Sequence, residues 1–190
     1  MKLYLAYGAN TNTANMSVRC PDARYVGNIT LRGYRLVFRG VADLSKAKGE
    51  KVTCAMWLIS PKDELALDGF EGFPNLYIKH YVTVRLRGKS HSVMFYAMRT
   101  RRYEAPPSER YEATLREGYT QCGMSTKQID RAISHAKAWQ AVHGVPAQVR
   151  HGKWATPAPV DVFDPEVEGF EDADAAAQFL LDFYANNHGK

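Results

Sequence analysis

The apolar residues change their period along the chain. Leu3 and Leu5 alternate with Tyr4 and Ala6 in a segment that stops at Gly8, the pattern of a buried first strand. Thr11, Asn12 and Thr13 are N-cap residue types, and Pro21 closes the short helix expected through Met16 and Val18. Residues 25–38 and 52–60 are rich in Val, Ile, Leu, Tyr, Phe and Trp. Gly27, Gly33 and Gly40 interrupt this region, as in strands with bends or bulges. The Lys/Gly/Glu segment 44–51 between them reads as a loop. A short helix is expected over residues 61–67, with Ser60 as N-cap and Asp63 and Glu64 in the first turn, where the helix dipole favours acids. It delivers the chain to Asp68 through Gly72. Ile78, His80, Val82, Val84 and Leu86 share one parity, Val93, Phe95 and Ala97 share one parity of the next segment, and Gly88 and Lys89 lie between: a hairpin.

The later part of the chain has helical spacing. Ser108 caps a stretch in which Tyr111 and Leu115 lie four apart, with Gly123 as its stop. Ser125 and Gln128 have capping-box spacing, and Ile129, Ala132, Ile133, Ala136, Trp139 and Val142 form an apolar stripe ending at Gly144 and Pro146. A last helix is expected from Asp172, with Ala176, Phe179, Leu180 and Phe183 on one face. Strands first and helices later, with glycine breaks in the strands, predict an α+β fold with a strongly bent or closed sheet.

With 190 residues, 45% of them hydrophobic, the chain can bury a core without metals or disulfides, and a single domain over 1–190 is expected. Its +5 formal charge is unevenly spread: residues 1–153 carry 24 basic and 12 acidic side chains, residues 154–190 one basic and eight acidic. No apolar run approaches the roughly 20 residues needed to span a bilayer, and the N-terminus has the look of a first strand, so a cytoplasmic chain is expected. Three widely spaced cysteines, Cys20, Cys54 and Cys122, suit a reducing compartment.

Metal and nucleotide motifs are missing from the sequence. The six histidines include no pair four apart, no Cys-x-x-Cys occurs, and there is no Gly-x-Ser-x-Gly, P-loop or Gly-x-Gly-x-x-Gly. His135 and His143 read as solvated residues of one helix, and Cys54 as a buried structural thiol. Three segments remain. Tyr7-Gly8-Ala9-Asn10 is a glycine turn between a strand and a helix start; it can aim backbone N–H groups at an anion, or be a tight turn without a ligand. In residues 67–77, Glu71 sits between aromatics beside Gly72, where a desolvated carboxyl gains the raised pKa a general base needs; the alternative is a surface acid. In residues 103–111, Pro106 and Pro107 stiffen the approach to a capped helix and fix where Tyr103 and Tyr111 point, as two core tyrosines also require.

Taken together and in this order, Tyr7 to Asn10, the Leu-Asp-x-x-Glu-Gly run at 67–72 with Tyr77, and the Pro-Ser-x-x-Tyr run at 107–111 resemble the γ-glutamylcyclotransferase-like family, which includes AIG2-like proteins and γ-glutamylamine cyclotransferases. The resemblance spans about residues 3–135. It implies a small β-barrel flanked by helices; the matching core is expected over 1–144, and residues 145–190, which the resemblance does not cover, are expected to form a C-terminal extension carrying an acidic helix. It also implies cyclisation of a small-molecule γ-glutamyl amine or amino-acid derivative to 5-oxoproline and a free amine, with Glu71 as acid/base and no metal or organic cofactor. Tyr7, Gly8, Ala9, Asn10, Tyr77, Tyr103 and Tyr111 would then bind substrate. Ala9 departs from the family pattern, which has Ser there.

Two other readings compete. One is deprotection of a γ-glutamylated biosynthetic intermediate. The other is a binding or regulatory module on the same fold without catalysis, for which Ala9 is the motif-level support and against which Glu71 argues. The basic body raises a nucleic-acid version of the second, led by Arg99, Arg101 and Arg102 beside Tyr103. Solvated edge charges, partly neutralised by the acidic tail, are the simpler account of that run.

Overall fold

The computed structural model describes residues 1–86, 89–99 and 103–144. The acidic segment 154–190, the helix expected from Asp172, the extension over 145–190, the turn residue Gly88, and Arg101 and Arg102 all lie outside those residues.

Among the described residues five strands form one sheet in the order β2-β3-β1-β5-β4. β1 (Lys2–Ala6) is central, antiparallel to β3 (Ala42–Ile59) and parallel to β5 (Lys89–Met98). Leu3, Tyr4, Leu5 and Ala6 are all buried, as a strand covered on both faces requires. β2 (Arg24–Phe38) and β4 (Tyr77–Leu86) stand at the two ends of the order, so among the described residues the sheet is open and not a closed barrel; the α+β class is as expected. β4 and β5 pair in the register the alternating sequence pattern demands, with His80 opposite Phe95 and Val82 opposite Val93.

The segment 44–51 is strand, not loop. β3 pairs with β2 from Phe38 opposite Ala42 to Arg24 opposite Leu58, with register breaks at Tyr25/Gly27 and Arg32/Tyr34. Most side chains from Lys46 to Lys51 are exposed. A ribbon wetted on both faces carries no apolar alternation, and its polar composition therefore mimics a loop.

Four helices are described: α1 (Thr13–Arg19), α2 (Pro61–Glu71), α3 (Glu109–Gln121) and α4 (Lys127–His143). α2 starts as expected, with reciprocal Ser60 and Asp63 capping bonds, but runs four residues beyond Leu67. It ends because Gly72 turns left-handed, at φ 63°, while the Phe73 N–H reaches the Asp68 carbonyl at 2.9 Å. α3 begins at the Ser108 cap. At its other end the Asn28 amide and Tyr25 hydroxyl of β2 both donate to the Cys122 carbonyl, at 2.7 and 3.2 Å. α4 lacks the predicted capping box: Thr126 is its N-cap, and Gln128 instead exchanges two 2.9 Å hydrogen bonds with the backbone of Thr53 on β3. The stripe from Ile129 to Ala136 is buried, while Val142 is exposed.

α3 presses closely on the chain that follows β1. A Cβ on Gly118 would stand 2.5 Å from both the Asn12 nitrogen and Thr11 Oγ1. Asn12 caps α1 and donates to Glu117 at 3.0 Å, and Gln121 accepts from the Thr13 N–H at 2.8 Å, which gives α1 one of the partners its first turn lacks.

Two glycine substitutions therefore have opposite expected signs. Gly118→Ala forces helix and loop apart and lowers unfolding free energy by about 1–3 kcal/mol. Gly69→Ala, inside α2 with nothing within 4 Å of its added Cβ, raises it by about 0.5–1 kcal/mol. Urea unfolding of the two variants checks both, and a tolerated Gly118→Ala contradicts the packing described.

Candidate active site

The chain leaves β1 through Tyr7 and Gly8 into a single 3₁₀ turn over Ala9–Thr11. The Thr11 N–H and hydroxyl both donate to the Gly8 carbonyl at 2.9 Å, and the Tyr119 hydroxyl of α3 donates to the Tyr7 carbonyl at 2.9 Å. Gln128 supports that phenol from behind, donating to it at 2.7 Å. Gly8 fits closely: a Cβ there would lie 3.2 Å from both Ala42 Cβ and the Tyr111 hydroxyl, so a neighbour would have to give by a few tenths of an ångström.

Above this turn lies a cavity of about 150 Å³, room for one small organic group. Tyr7, Gly8, Ala9 and Asn10 form one wall. Glu71, the last residue of α2, faces them together with Phe70, and Tyr77, Tyr96, Tyr111 and Ala42 close the remaining sides. The Asn10 amide nitrogen donates to Glu71 Oε1 and to the Tyr4 hydroxyl, each at 2.9 Å. Its carbonyl accepts from the Arg19 guanidinium, which lies 3.3 Å over the Phe70 ring. One side chain thus ties α1, α2 and β1 to the glycine loop.

Burial raises the Glu71 pKa to about 7, against the opposing pull of Arg19 and the Asn10 hydrogen bond. Burial likewise disfavours ionisation of the surrounding phenols. Burial lifts Tyr4, Tyr7, Tyr77 and Tyr96 well above the ordinary value and Tyr111 to about 12. They stay neutral near pH 7, so Glu71 is the lining residue that changes charge there. Most hydroxyls are already directed: Tyr7 donates to the Tyr96 carbonyl at 2.6 Å, Tyr77 to the Ala42 carbonyl at 2.8 Å, and Tyr96 to Asp68 at 2.7 Å. Tyr111 instead accepts, from the Ala42 N–H at 3.2 Å and from the Ala9 backbone.

Seven of the eight residues singled out from the sequence, Tyr7, Gly8, Ala9, Asn10, Glu71, Tyr77 and Tyr111, line this one cavity. Tyr103 does not. Ala105 pairs with the end of β2, its N–H reaching the Phe38 carbonyl at 2.9 Å, and the Tyr103 carbonyl accepts from Arg39. Tyr4, Ala42, Phe70 and Tyr96 belong to the lining but were not anticipated. Tyr4 and Tyr96 are indistinguishable in sequence from core strand residues, and Ala42 opens a strand whose start read as a loop. Among the described residues no three His, Cys, Asp or Glu side chains are grouped to hold a metal ion, and no helix is long and apolar enough to cross a membrane. Cys54 is buried, its thiol pushed up to about 12 by that burial.

Residues 4–121 match the family model described as Gamma-glutamyl cyclotransferase, AIG2-like. Gamma-glutamylcyclotransferases of Bos taurus and Homo sapiens are each 27% identical over 136 residues, covering 64% of this chain and 72% of theirs. Among solved structures, a gamma-glutamyl cyclotransferase superposes with a TM-score of 0.59 at 20% identity, covering 94% of this chain and 98% of that one. An uncharacterised Homo sapiens protein gives 0.58 at 20% identity, covering 93% and 98%. At these identities the structural likeness establishes a common fold.

A carboxyl whose pKa rises on folding from 4.5 to about 7 holds its proton more tightly in the folded chain than in the unfolded one. Its contribution to stability is complete below about pH 4.5 and is lost as pH climbs through about 7. Glu71→Gln removes that loss. The variant is expected to match the wild type near pH 4 and exceed it by up to about 3 kcal/mol at pH 8. Urea unfolding of both proteins across that range checks this, and a difference independent of pH contradicts it.

Proposed function

Because the chain belongs to the Gamma-glutamyl cyclotransferase, AIG2-like family, we propose that it cyclises the γ-glutamyl group of a small amide, releasing 5-oxoproline and a free amine, with Glu71 moving the protons. The observation that carries this reading is the Glu71 carboxyl, raised to about 7 and hydrogen-bonded by Asn10 of the glycine loop across a single small cavity.

The chemistry needs one group that is a base and then an acid. Glu71 as carboxylate takes a proton from the substrate's α-ammonium. The freed amine attacks the γ-carbonyl carbon, forming the ring C–N bond and placing negative charge on the carbonyl oxygen. When the tetrahedral centre collapses, the original amide C–N bond breaks and Glu71 returns its first proton to the departing nitrogen; it then relays the second proton, which the ring nitrogen must still lose, so the products are the neutral lactam and an ammonium. Atoms balance without water or a redox partner. A pKa near 7 suits both transfers at neutral pH, and such positioned proton transfer contributes typically 10²–10⁴-fold.

Two features support binding and charge stabilisation by the loop. Gly8 is the N-cap of the 3₁₀ turn and Asn10 its second residue, and their N–H groups have no partner inside it. The Tyr111 oxygen accepts from backbone N–H groups, so its own proton is left to donate into the cavity, toward a substrate carboxylate or the developing oxyanion. Because the nucleophile is tethered to the electrophile, holding the extended glutamyl chain in a bent, ring-ready shape lowers the barrier further. Ala9 fits this scheme through its backbone, which contacts Tyr111; the missing hydroxyl is then a matter of affinity.

Incubation with a panel of γ-glutamyl amines and γ-glutamyl amino acids is expected to yield 5-oxoproline from at least one of them. Glu71→Gln should lower kcat on that substrate by about 10²–10⁴-fold. Ala9→Ser should alter KM with little change in kcat. No product from any member of the panel, or full turnover by Glu71→Gln, overturns the reading.

A further inference from the structure

We infer that Arg19 is a positioning residue of the active site: by donating to the Asn10 carbonyl while stacked on Phe70, it locks the Asn10 amide in the one orientation that points its nitrogen at Glu71. The inference rests on the assignment of Glu71 as the acid/base. Arg19 closes α1, outside the three motifs that drew attention to the site, and is half-buried.

The argument is one of donors and acceptors. A guanidinium has donors only, and a carboxylate has acceptors only. The Asn10 side chain stands between the two, with its oxygen on Arg19 and its nitrogen on Glu71 and Tyr4. Turning the amide over would set oxygen against carboxylate and N–H against guanidinium, so both ends reject the flipped form. Without Arg19, only the Glu71 end resists. That resistance disappears whenever Glu71 is protonated and can itself donate. The amide can then turn its oxygen to accept from the protonated carboxyl, so the protonated form gains a hydrogen bond and the balance shifts away from the ionised base.

The guanidinium is held by the Phe70 ring, half of which is exposed at the rim of the cavity. Arg19 therefore also holds in place a residue of the cavity wall. The other groups that face Glu71 are phenols: Tyr4 from β1, Tyr7 just after it, Tyr77 from β4, Tyr96 from β5 and Tyr111 from α3. On α2 itself, Asp68 is engaged by Tyr96 and Lys79. Near neutral pH none of the five phenols supplies charge, which among the described residues leaves Arg19 as the cation acting on the carboxyl.

The test follows the titration of Glu71 by carboxyl-carbon NMR in protein labelled at glutamate, the resonance being assigned by its loss in Glu71→Gln. Arg19→Met is expected to move the Glu71 midpoint upward by about one unit, and Arg19→Lys to recover at least half of that shift. With a substrate that turns over, the acid limb of kcat/KM should move by the same amount, about tenfold at pH 6, while the plateau above pH 9 changes less than threefold. If Arg19→Met does not fold, as judged by near-UV circular dichroism, Arg19→Gln carries the test with a smaller upward shift. An unmoved midpoint in whichever variant folds overturns the inference. A midpoint that moves in a protein that releases 5-oxoproline from no substrate sustains the role of Arg19 while rejecting the proposed reaction.

Discussion

The close approach of α3 to the end of β1 is the contact on which the site depends. A strand covered on both faces delivers its C-terminal residues into the interior, where backbone polar groups need partners. The Tyr7 carbonyl finds one in Tyr119, and the following turn is held against Gly118 with no room for a side chain. Gln128 extends the support to β3, since it bonds both the Tyr119 hydroxyl and the Thr53 backbone. The loop that faces the cavity is thereby fixed by residues more than a hundred positions away. Its geometry does not depend on the side chain at position 9.

The wall beside the loop is built with similar economy. Both backbone groups of Ala42 are taken by tyrosines, its N–H by Tyr111 and its carbonyl by Tyr77. Next to it, buried Asp43 accepts from the Met98 N–H and from Arg39, each at 2.9 Å. Arg39 in turn reaches the Tyr103 carbonyl. These bonds join β3, β4, β5 and α3 around the cavity, and they are made by groups whose removal would leave buried polar atoms unmatched. A ring of neutral phenols around one carboxyl is the electrostatic result.

Local periodicity made part of this legible in the sequence. The first strand, the β4/β5 hairpin, the Ser60 and Ser108 caps and the buried stripe of α4 all follow from patterns a few residues long. The ribbon at 44–51 did not, because a strand exposed on both faces has no apolar signature. The last turn of α2 was hidden for a related reason: Gly69 and Gly72 around Phe70 and Glu71 look like a turn, and only the left-handed Gly72 marks where the helix stops. Gln128 matched a capping box by spacing, yet its partner is 75 residues away in sequence. Glu71 could equally have been a surface acid, since what covers it comes from Asn10, Tyr4 and other distant segments. Arg19 had no local signal at all; its meaning is a bond to Asn10.

The open sheet bears on the surplus of positive charge in a different way. An unpaired edge strand is a template on which another chain can add, and lysines and arginines along it discourage that addition. β2 carries Arg24, Arg32 and Arg35, and β4 carries Lys79 and Arg85. Two copies meeting edge to edge would have to accommodate these long side chains, of which Arg35 is held by Glu104 and Lys79 by Glu64 and Asp68. Long charged side chains on both end strands of the described sheet therefore work against edge-to-edge addition of a second copy.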